Sequence, residues 1–418
     1  MTTLDVDEVY ECPRLRPLEA FPAVLSGREV LCLRDPQYFS EHVVYLPMHT
    51  AVILGLFDGQ HSLLDIQEAY VRRFGTLLFR EELLEVIRTL DEHLLLDSPR
   101  FANHKKEVEE TFRRATIRNS LLAGKSYAAE PEALRQQLDE YFNTGASPES
   151  ASPGTPAASV AGLVVPHIDF ARGGPCYAQG YRELAGGPRA DRWVILGTVH
   201  APISRAFALT RKDYDTPLGK AETDQRFMDH FLALVGDGYL ADECSHRAEH
   251  SVEFQAVFLR HAAPPGSPVR IVPILCGSFD RFVEGGRSPR EDEEMGAFTD
   301  ALRETLAAVG GRTVVIASAD LAHVGPRFGD PQPVTPGQLR EVRDADREML
   351  ATVEAGDAEG FFHLVARDGD RRRICGLPPI YTMMQVLPQS RGRLLHYGQW
   401  PDPQGTVTFA SLVMYSGG

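Results

Sequence analysis

The sequence predicts an α/β protein: a mainly parallel sheet flanked by helices, joined to a smaller N-terminal α+β domain of winged-helix type. Three observations carry this expectation. From residue 161 onward, apolar runs of strand length alternate with amphipathic stretches of helix length, the pattern of a parallel sheet with crossover helices. Three of those apolar runs end in histidine or in an Asp/His pair: LVVPHID (Leu163–Asp169), WVILGTVHAPISR (Trp193–Arg205) and TVVIASADLAH (Thr313–His323). Within the first hundred residues, by contrast, two short β-like runs are followed by three helical ones.

The bulk properties bound the answer. A chain of 418 residues is too long for one small core, and two domains are drawn at 1–112 and 113–418. Forty-three Lys/Arg against 58 Asp/Glu give a net charge of −15, and residues 1–110 alone hold 11 Lys/Arg against 20 Asp/Glu. Such a balance argues against a phosphate backbone as partner, even though winged helices often bind DNA. No apolar run reaches the ~18 residues of a membrane span. The opening MTTLDVDEVYECP is acidic and lacks the apolar core of a signal peptide, so a cytoplasmic protein is expected, with no membrane partner. Six cysteines, none in a CxxC pair, read as six reduced thiols in that compartment.

Each element follows from local chemistry. Residues 1–20 read as a loose polar arm. Val30–Leu33 and His42–Leu46 are short strands, and Asp58-Gly59 is a turn after Thr50–Phe57. Ser62 caps a helix over Leu63–Phe74 that Gly75 ends, and Glu81–His93 follows with Leu83, Leu84, Ile87 and Leu90 on one side. Residues 104–118 form a charged helical bridge, and Pro131 suits the first turn of a helix within 123–142. The stretch 143–160, NTGASPESASPGTPAASV, cannot bury a core of its own and is a flexible loop.

In the larger domain the strands are Leu163–Val165, Trp193–Leu196, Phe207–Leu209, Arg270–Leu275, Thr313–Ala317, Leu394–Tyr397 and Val407–Tyr415. Helices fall near Ala178–Leu184, Asp224–Val235, Val252–His261, Gly296–Ala308, Leu339–Thr352, Ala358–Ala366 and Leu377–Val386. Arg281–Glu294 and Val324–Gly337 are Pro/Gly- and charge-rich loops.

Ligands of open α/β sheets sit at the carboxyl ends of the strands. His167 and His200 stand there, and a neutral imidazole at such a crevice can ligate a metal or simply bond to backbone. Asp320 and His323 can form a carboxylate–imidazole pair that orients a ligand or moves a proton, or Asp320 can cap a turn. In EHSVE, His250 and Glu253 lie three apart and can share a pocket-facing side; the alternative is a capping box around Ser251. Cys375, in ICG at a helix start, is expected to have a lowered thiol pKa and to act as nucleophile or soft metal ligand. No Walker A, GxGxxG, HExxH or GxSxG motif is present.

Two resemblances add to this reading. LFDGQHSLLDIQEAYVRRFG…EELLEVIRTLDEHLLLD resembles PqqD-like domains, which implies a peptide or protein partner for the N-terminal domain. AGKSY, VVPHIDFARGG, ILGTVHAPIS, TPLGKAETD, EHSVEFQ, VPILCG, SADLAH and ICGLPPI, in that order, resemble the Memo family, which includes AmmeMemoRadiSam system protein B. The resemblance implies a fold like the LigB-type class III extradiol dioxygenases, a metal trio of His167, His200 and Cys375, and Asp320 and His323 as further pocket residues. It places 143–160 inside the larger domain, because AGKSY matches the family's N-terminal motif. Lys125-Ser126 stands where the family has Ser-Trp, and the VHAP loop is a residue shorter than in some members.

These readings converge on an expectation and two rivals. The expectation is one iron or copper ion on His167, His200 and Cys375, with Asp320, His323 and Cys375 as catalytic groups and His250 and Glu253 contacting substrate. The family resemblance implies a radical SAM protein as a possible partner. The rivals are a non-catalytic binder of peptide, phosphopeptide or metal, and a hydrolase with Cys375 as nucleophile served by His323 and Asp320.

Overall fold

The computed structural model describes residues 10–144, 160–184, 189–264 and 266–416. The chain divides into two compact units, Met1–Arg114 and Ala115–Gly418.

In the first unit, β1 (Glu19–Leu25), β2 (Arg28–Arg34) and β3 (Val44–Pro47) form an antiparallel sheet in that order. Four helices follow: Thr50–Leu54, Leu63–Phe74, Arg80–Glu92 and Pro99–Arg114. Ser62 closes a capping box with Asp65, and Gly75 takes the left-handed conformation (φ 70°) that ends the helix. Leu83, Leu84, Ile87 and Leu90 enter a core with Leu31, Leu33 and Ile66, as their helical spacing requires.

One expectation is corrected here and another sharpened. The stretch before β1 is no loose arm from Tyr10 onward: Leu15 bridges Leu96, and Arg16 is buried in a two-pronged ion pair with Asp35 (3.1 Å each). β1 lies where the residues from about 21 read as β-like without a strand being drawn, since EAFPAVL is exposed along most of its length and lacks the alternation that marks a strand.

The second unit contains β4 (Ile117–Arg118), β5 (Val160–Val165), β6 (Arg192–Thr198), β7 (Phe207–Leu209), β8 (Asp213–Tyr214), β9 (Glu222–Thr223), β10 (Arg270–Cys276), β11 (Thr313–Ser318), β12 (Asp320–Val324), β13 (Arg391–Trp400) and β14 (Thr406–Tyr415). β4 pairs with β8; the main sheet runs β12-β14-β5-β11-β6-β10-β7, with β13 on β14 and β9 on β10. Its centre, β5-β11-β6-β10, is parallel, and antiparallel strands extend it on both sides. The central strands are buried on both faces, as their near-continuous Val/Ile/Leu content predicts. Helices Phe170–Arg182, Gln225–Val235, Ser251–Ala262, Glu293–Val309, Pro336–Glu354, Ala358–Ala366 and Leu377–Val386 flank the sheet.

Further differences have local causes. The helix expected from Ala178 begins at Phe170, because Asp169 caps it by accepting from Arg172 N, and the chain stays helical through Pro175 inside it. The segment expected as loop from Arg281 carries the short helix Asp280–Gly285. Asp320–His323 does not trail from a strand but opens β12, which pairs with β14. Helix Pro131–Asn143 ends where the expected loop 143–160 begins; residues 145–159 lie outside the described residues. Among the described residues, no helix is long and apolar enough to cross a membrane.

Candidate metal centre

Neighbouring strands build the site. β5, β11 and β6 are adjacent and parallel, so their carboxyl ends bring His167, Asp320 and His200 to one edge. His250 arrives from the residue before helix Ser251–Ala262, and Cys375 from just before helix Leu377–Val386. Two close approaches fix these last segments. A Cβ on Gly197 would lie 2.5 Å from Ser251 Oγ, and one on Gly376 would lie 2.7 Å from the Ala319 side chain. Thr198 Oγ1 also donates to the Cys375 carbonyl (3.0 Å).

The imidazoles of His167, His200 and His250 offer donor atoms that all lie within 4.8 Å of one another. His200 and His250 stack (centroids 4.9 Å apart, planes at 17°), and His167 stands nearly perpendicular to both, at 83° and 89°. His167 Nδ1 is 3.0 Å from the Ser318 carbonyl, which can only accept, so its proton sits on Nδ1 and its Nε2 carries the lone pair. His200 Nδ1 lies 2.9 Å from Glu249 Oε2, and His250 Nδ1 lies 3.3 Å from Glu249 Oε1. The hydrogen bond to the carboxylate selects the Nδ1–H tautomer in His200, while the longer His250 contact is electrostatic.

Charge states suit ligation. Burial, helped by neighbouring His200, pushes His167 down to about 3, and burial takes His250 down to about 4 against the pull of Glu249. Burial opposes ionisation of Glu249, but His200, His250 and the Ser251 N–H hold its carboxyl well below the usual range. Neutral imidazoles over a fixed anion form a donor set that a borderline transition-metal ion fits.

Cys375 Sγ lies 3.3 Å from His167 Nε2 and 3.7 Å from the Asp320 carbonyl. The thiol therefore contacts His167, while the donors that all lie within 4.8 Å of one another are those of His167, His200 and His250. Its expected acidity is a correction: burial pushes the thiol well above its usual value, and Asp320 adds to this. Cys375 precedes its helix by two positions, too far out for the helix N-terminus to offset the loss of water. The hydrolase relay is corrected with it. The thiol meets His167, whereas His323 turns Nδ1 toward the carbonyls of Leu321 (3.1 Å) and Arg373 (3.2 Å) and packs on Phe328.

Asp320 is buried, with Oδ1 accepting from the N–H groups of His167 (3.0 Å) and Ile168 (3.1 Å) and Oδ2 3.7 Å from His167 Nε2. Burial raises its pKa, partly offset by His323. Burial also takes His323 down to about 4, with Asp320 opposing. The expected Asp320–His323 pair is not a direct contact: the Asp320 carboxyl lies against His167, His323 Nδ1 faces backbone carbonyls, and the two groups influence each other only through charge.

Glu253 is where the structure departs most from the sequence reading. Its carboxylate is fully buried and taken up by Arg118, Tyr127 Oη and the N–H groups of Leu121 (3.2 Å) and Leu122 (2.9 Å). A carboxylate with no exposure needs such a shell, and this one leaves nothing for a substrate. The neighbour that serves the site is Glu249. Its signal in the sequence was the Glu-His step itself, which puts a carboxylate on the residue before a strand-end-facing imidazole. His250, expected at the substrate, stands instead among the candidate ligands.

An open, centrally parallel α/β sheet thus carries at its carboxyl edge three imidazoles that could hold a metal ion, beside a thiol and a carboxyl group. The chain belongs to the Memo family: the profile described as Memo-like protein matches residues 118–417. A MEMO1 family protein of Aquifex aeolicus (strain VF5) is 27% identical over 388 residues, covering 92% of this chain and 95% of that protein. One from Thermus thermophilus is 27% identical over 334 residues (80% of this chain, 92% of the relative), and one from Methanococcoides burtonii is 31% identical over 310 residues (71% and 100%). The Aquifex alignment is longer than Ala115–Gly418 and so reaches into the first unit, whereas the Methanococcoides protein is matched over its whole length by 71% of this chain.

Proposed function

We propose that the second unit holds one iron or copper ion per chain and serves as a mononuclear redox centre. His167, His200 and His250 would hold the ion, with the Cys375 sulfur beside His167 as a fourth donor. The observation that carries this reading is the convergence of three imidazoles from three separate segments, each with Nδ1 turned to an acceptor outside the cluster. When bound, such an ion supplies a redox-active Lewis acid. The chain's own groups do the rest. Ser318 and Glu249 orient the rings, and Asp320 Oδ2, 3.7 Å from His167 Nε2, is a carboxyl placed to exchange a proton at the site. The charge of His323 would counter the burial that raises Asp320. His200 and His250, more exposed than His167, leave the site open to a small reactant.

The first unit would recruit a peptide or a radical SAM partner, as its PqqD-like pattern suggests. Exposed Leu64 and Leu77 (71% each) and Phe79 (59%) support a recruiting role.

Anaerobic purification with elemental analysis, followed by O₂ consumption on reconstituted protein, tests the redox reading. Stoichiometric iron or copper, lost in His200→Ala and Cys375→Ser, together with metal-dependent O₂ uptake, is the expected result. Metal-free protein whose ester or amide turnover is abolished by iodoacetamide would replace this reading with a thiol hydrolase.

A further inference from the structure

Glu249 is a single buried carboxylate placed between two of the three imidazoles. Oε2 accepts from the His200 backbone N–H (3.0 Å) and lies 2.9 Å from His200 Nδ1. Oε1 accepts from the Ser251 N–H (2.9 Å) and lies 3.3 Å from His250 Nδ1. Its own backbone is held in turn, because Arg118 Nη2 donates to the Glu249 carbonyl (3.0 Å) and Arg118 Nε to the His246 carbonyl (3.0 Å). The carboxylate is thus fixed by backbone amides on each oxygen before either ring is considered.

We infer that Glu249 is the positioning residue for His200, whose ring it sets in the Nδ1–H tautomer through a direct hydrogen bond, and that its second oxygen, 3.3 Å from His250 Nδ1, favours the same tautomer there by charge, so that the two rings stack as a pair facing His167. This rests on the metal-centre reading only for its consequence, which is metal affinity. The chemistry follows from the acceptor count. A carboxylate presents an anionic oxygen to both Nδ1–H groups at once. An amide in its place keeps one acceptor oxygen and sets an NH₂ donor against the other ring, which must then turn or move its proton to Nε2. Free histidine prefers the Nε2–H tautomer, so without the anion the lone pairs intended for the ion are capped by protons. His167 is independent of Glu249, because the Ser318 carbonyl holds its Nδ1–H. The loss therefore falls on two rings and spares the third. Outer-shell carboxylates of this kind typically change metal affinity by about 10–100-fold when removed.

Two measurements on the full chain test the assignment. In metal-free protein, long-range ¹H–¹⁵N imidazole spectra should show His167, His200 and His250 as Nδ1–H tautomers. In Glu249→Gln, His200 and His250 should shift toward Nε2–H while His167 stays unchanged, and Glu249→Asp should recover part of the original pattern. Co(II) titration against a competing chelator should then show binding about 10–100-fold weaker in Glu249→Gln than in the parent. Unchanged tautomers in Glu249→Gln, or a Co(II) affinity within about threefold of the parent, would overturn the assignment. A parent protein that takes up no Co(II) would instead sink the metal-centre reading, while the spectra alone still decide whether Glu249 positions the rings. Should Glu249→Gln fail to fold, Glu249→Asp carries the same two readouts.

Discussion

His167, His200 and His250 can serve an ion only while neutral, and burial supplies that condition for His167 and His250. The same physics makes the chain sensitive to acid. His246, fully buried between Tyr214 (2.8 Å) and the Ala208 carbonyl (3.0 Å), is pushed by burial to about 3. A histidine whose folded pKa lies below its unfolded value near 6.5 leaves stability intact above pH 6.5 and removes it as pH falls toward 3. Each such group contributes up to about 1.4 kcal/mol per pH unit across that window. Asp370, raised by burial to about 6, acts in the opposite sense: its contribution is lost as pH rises from the unfolded value toward 6. Burial raises Asp320 and Asp346 as well, but the histidines depressed to 3–4, namely His167, His246, His250 and His323, outnumber these three carboxyls. The urea midpoint of metal-free protein should therefore fall between pH 7 and pH 5. A midpoint that is flat or rises over that interval would count against buried neutral histidines.

The elements that deliver these residues depend on close backbone approach. Gly376 sits against Asp320 and Ala319 with no room for a methyl group. Gly376→Ala should displace Cys375, destabilise the fold by about 1–3 kcal/mol and slow or alter thiol labelling; unchanged stability and labelling would show that the segment is free to shift. Behind the site, Arg118 and Glu253 form a buried ion pair, and Arg118 also ties down the carbonyls of His246 and Glu249. Arg118→Met leaves the Glu253 carboxylate buried without its cation and should reduce unfolding free energy by about 3–5 kcal/mol. A loss under about 1 kcal/mol in chemical denaturation would show that water or rearrangement replaces the arginine.

What the sequence revealed of these elements has a physical pattern. Val/Ile/Leu runs such as TVVIA and WVIL are buried on both faces and announce central strands, and the histidines that end them announce the site. EAFPAVL has no such run, so only a β-like character is legible there. The role of Glu253 was misread because helical spacing says that residues 250 and 253 can share a side, but not which buried cation waits there. Arg118 lies 135 positions earlier in the chain, and only the fold brings it to Glu253. The acidity of Cys375 was misread for a related reason: a helix start can be seen in the sequence, whereas desolvation cannot.

For the molecule as a whole, the two units carry separate cores, and every candidate ligand and its supporting residues fall in Ala115–Gly418. The Methanococcoides relative, matched over its entire length by 71% of this chain, is consistent with that part standing alone. Residues 115–418 expressed alone should fold cooperatively and keep the metal content of the full chain. Aggregation, or loss of metal despite a cooperative transition, would show that the first unit completes the second.

The most direct measurement is the metal content of the full chain purified without oxygen, determined beside His167→Ala, His250→Ala and Cys375→Ser. The proposal predicts close to one iron or copper per chain in the parent, near none in His167→Ala, and clear loss in the other two. A parent devoid of metal after reconstitution, or variants that retain it in full, would contradict the proposal that these side chains surround an ion.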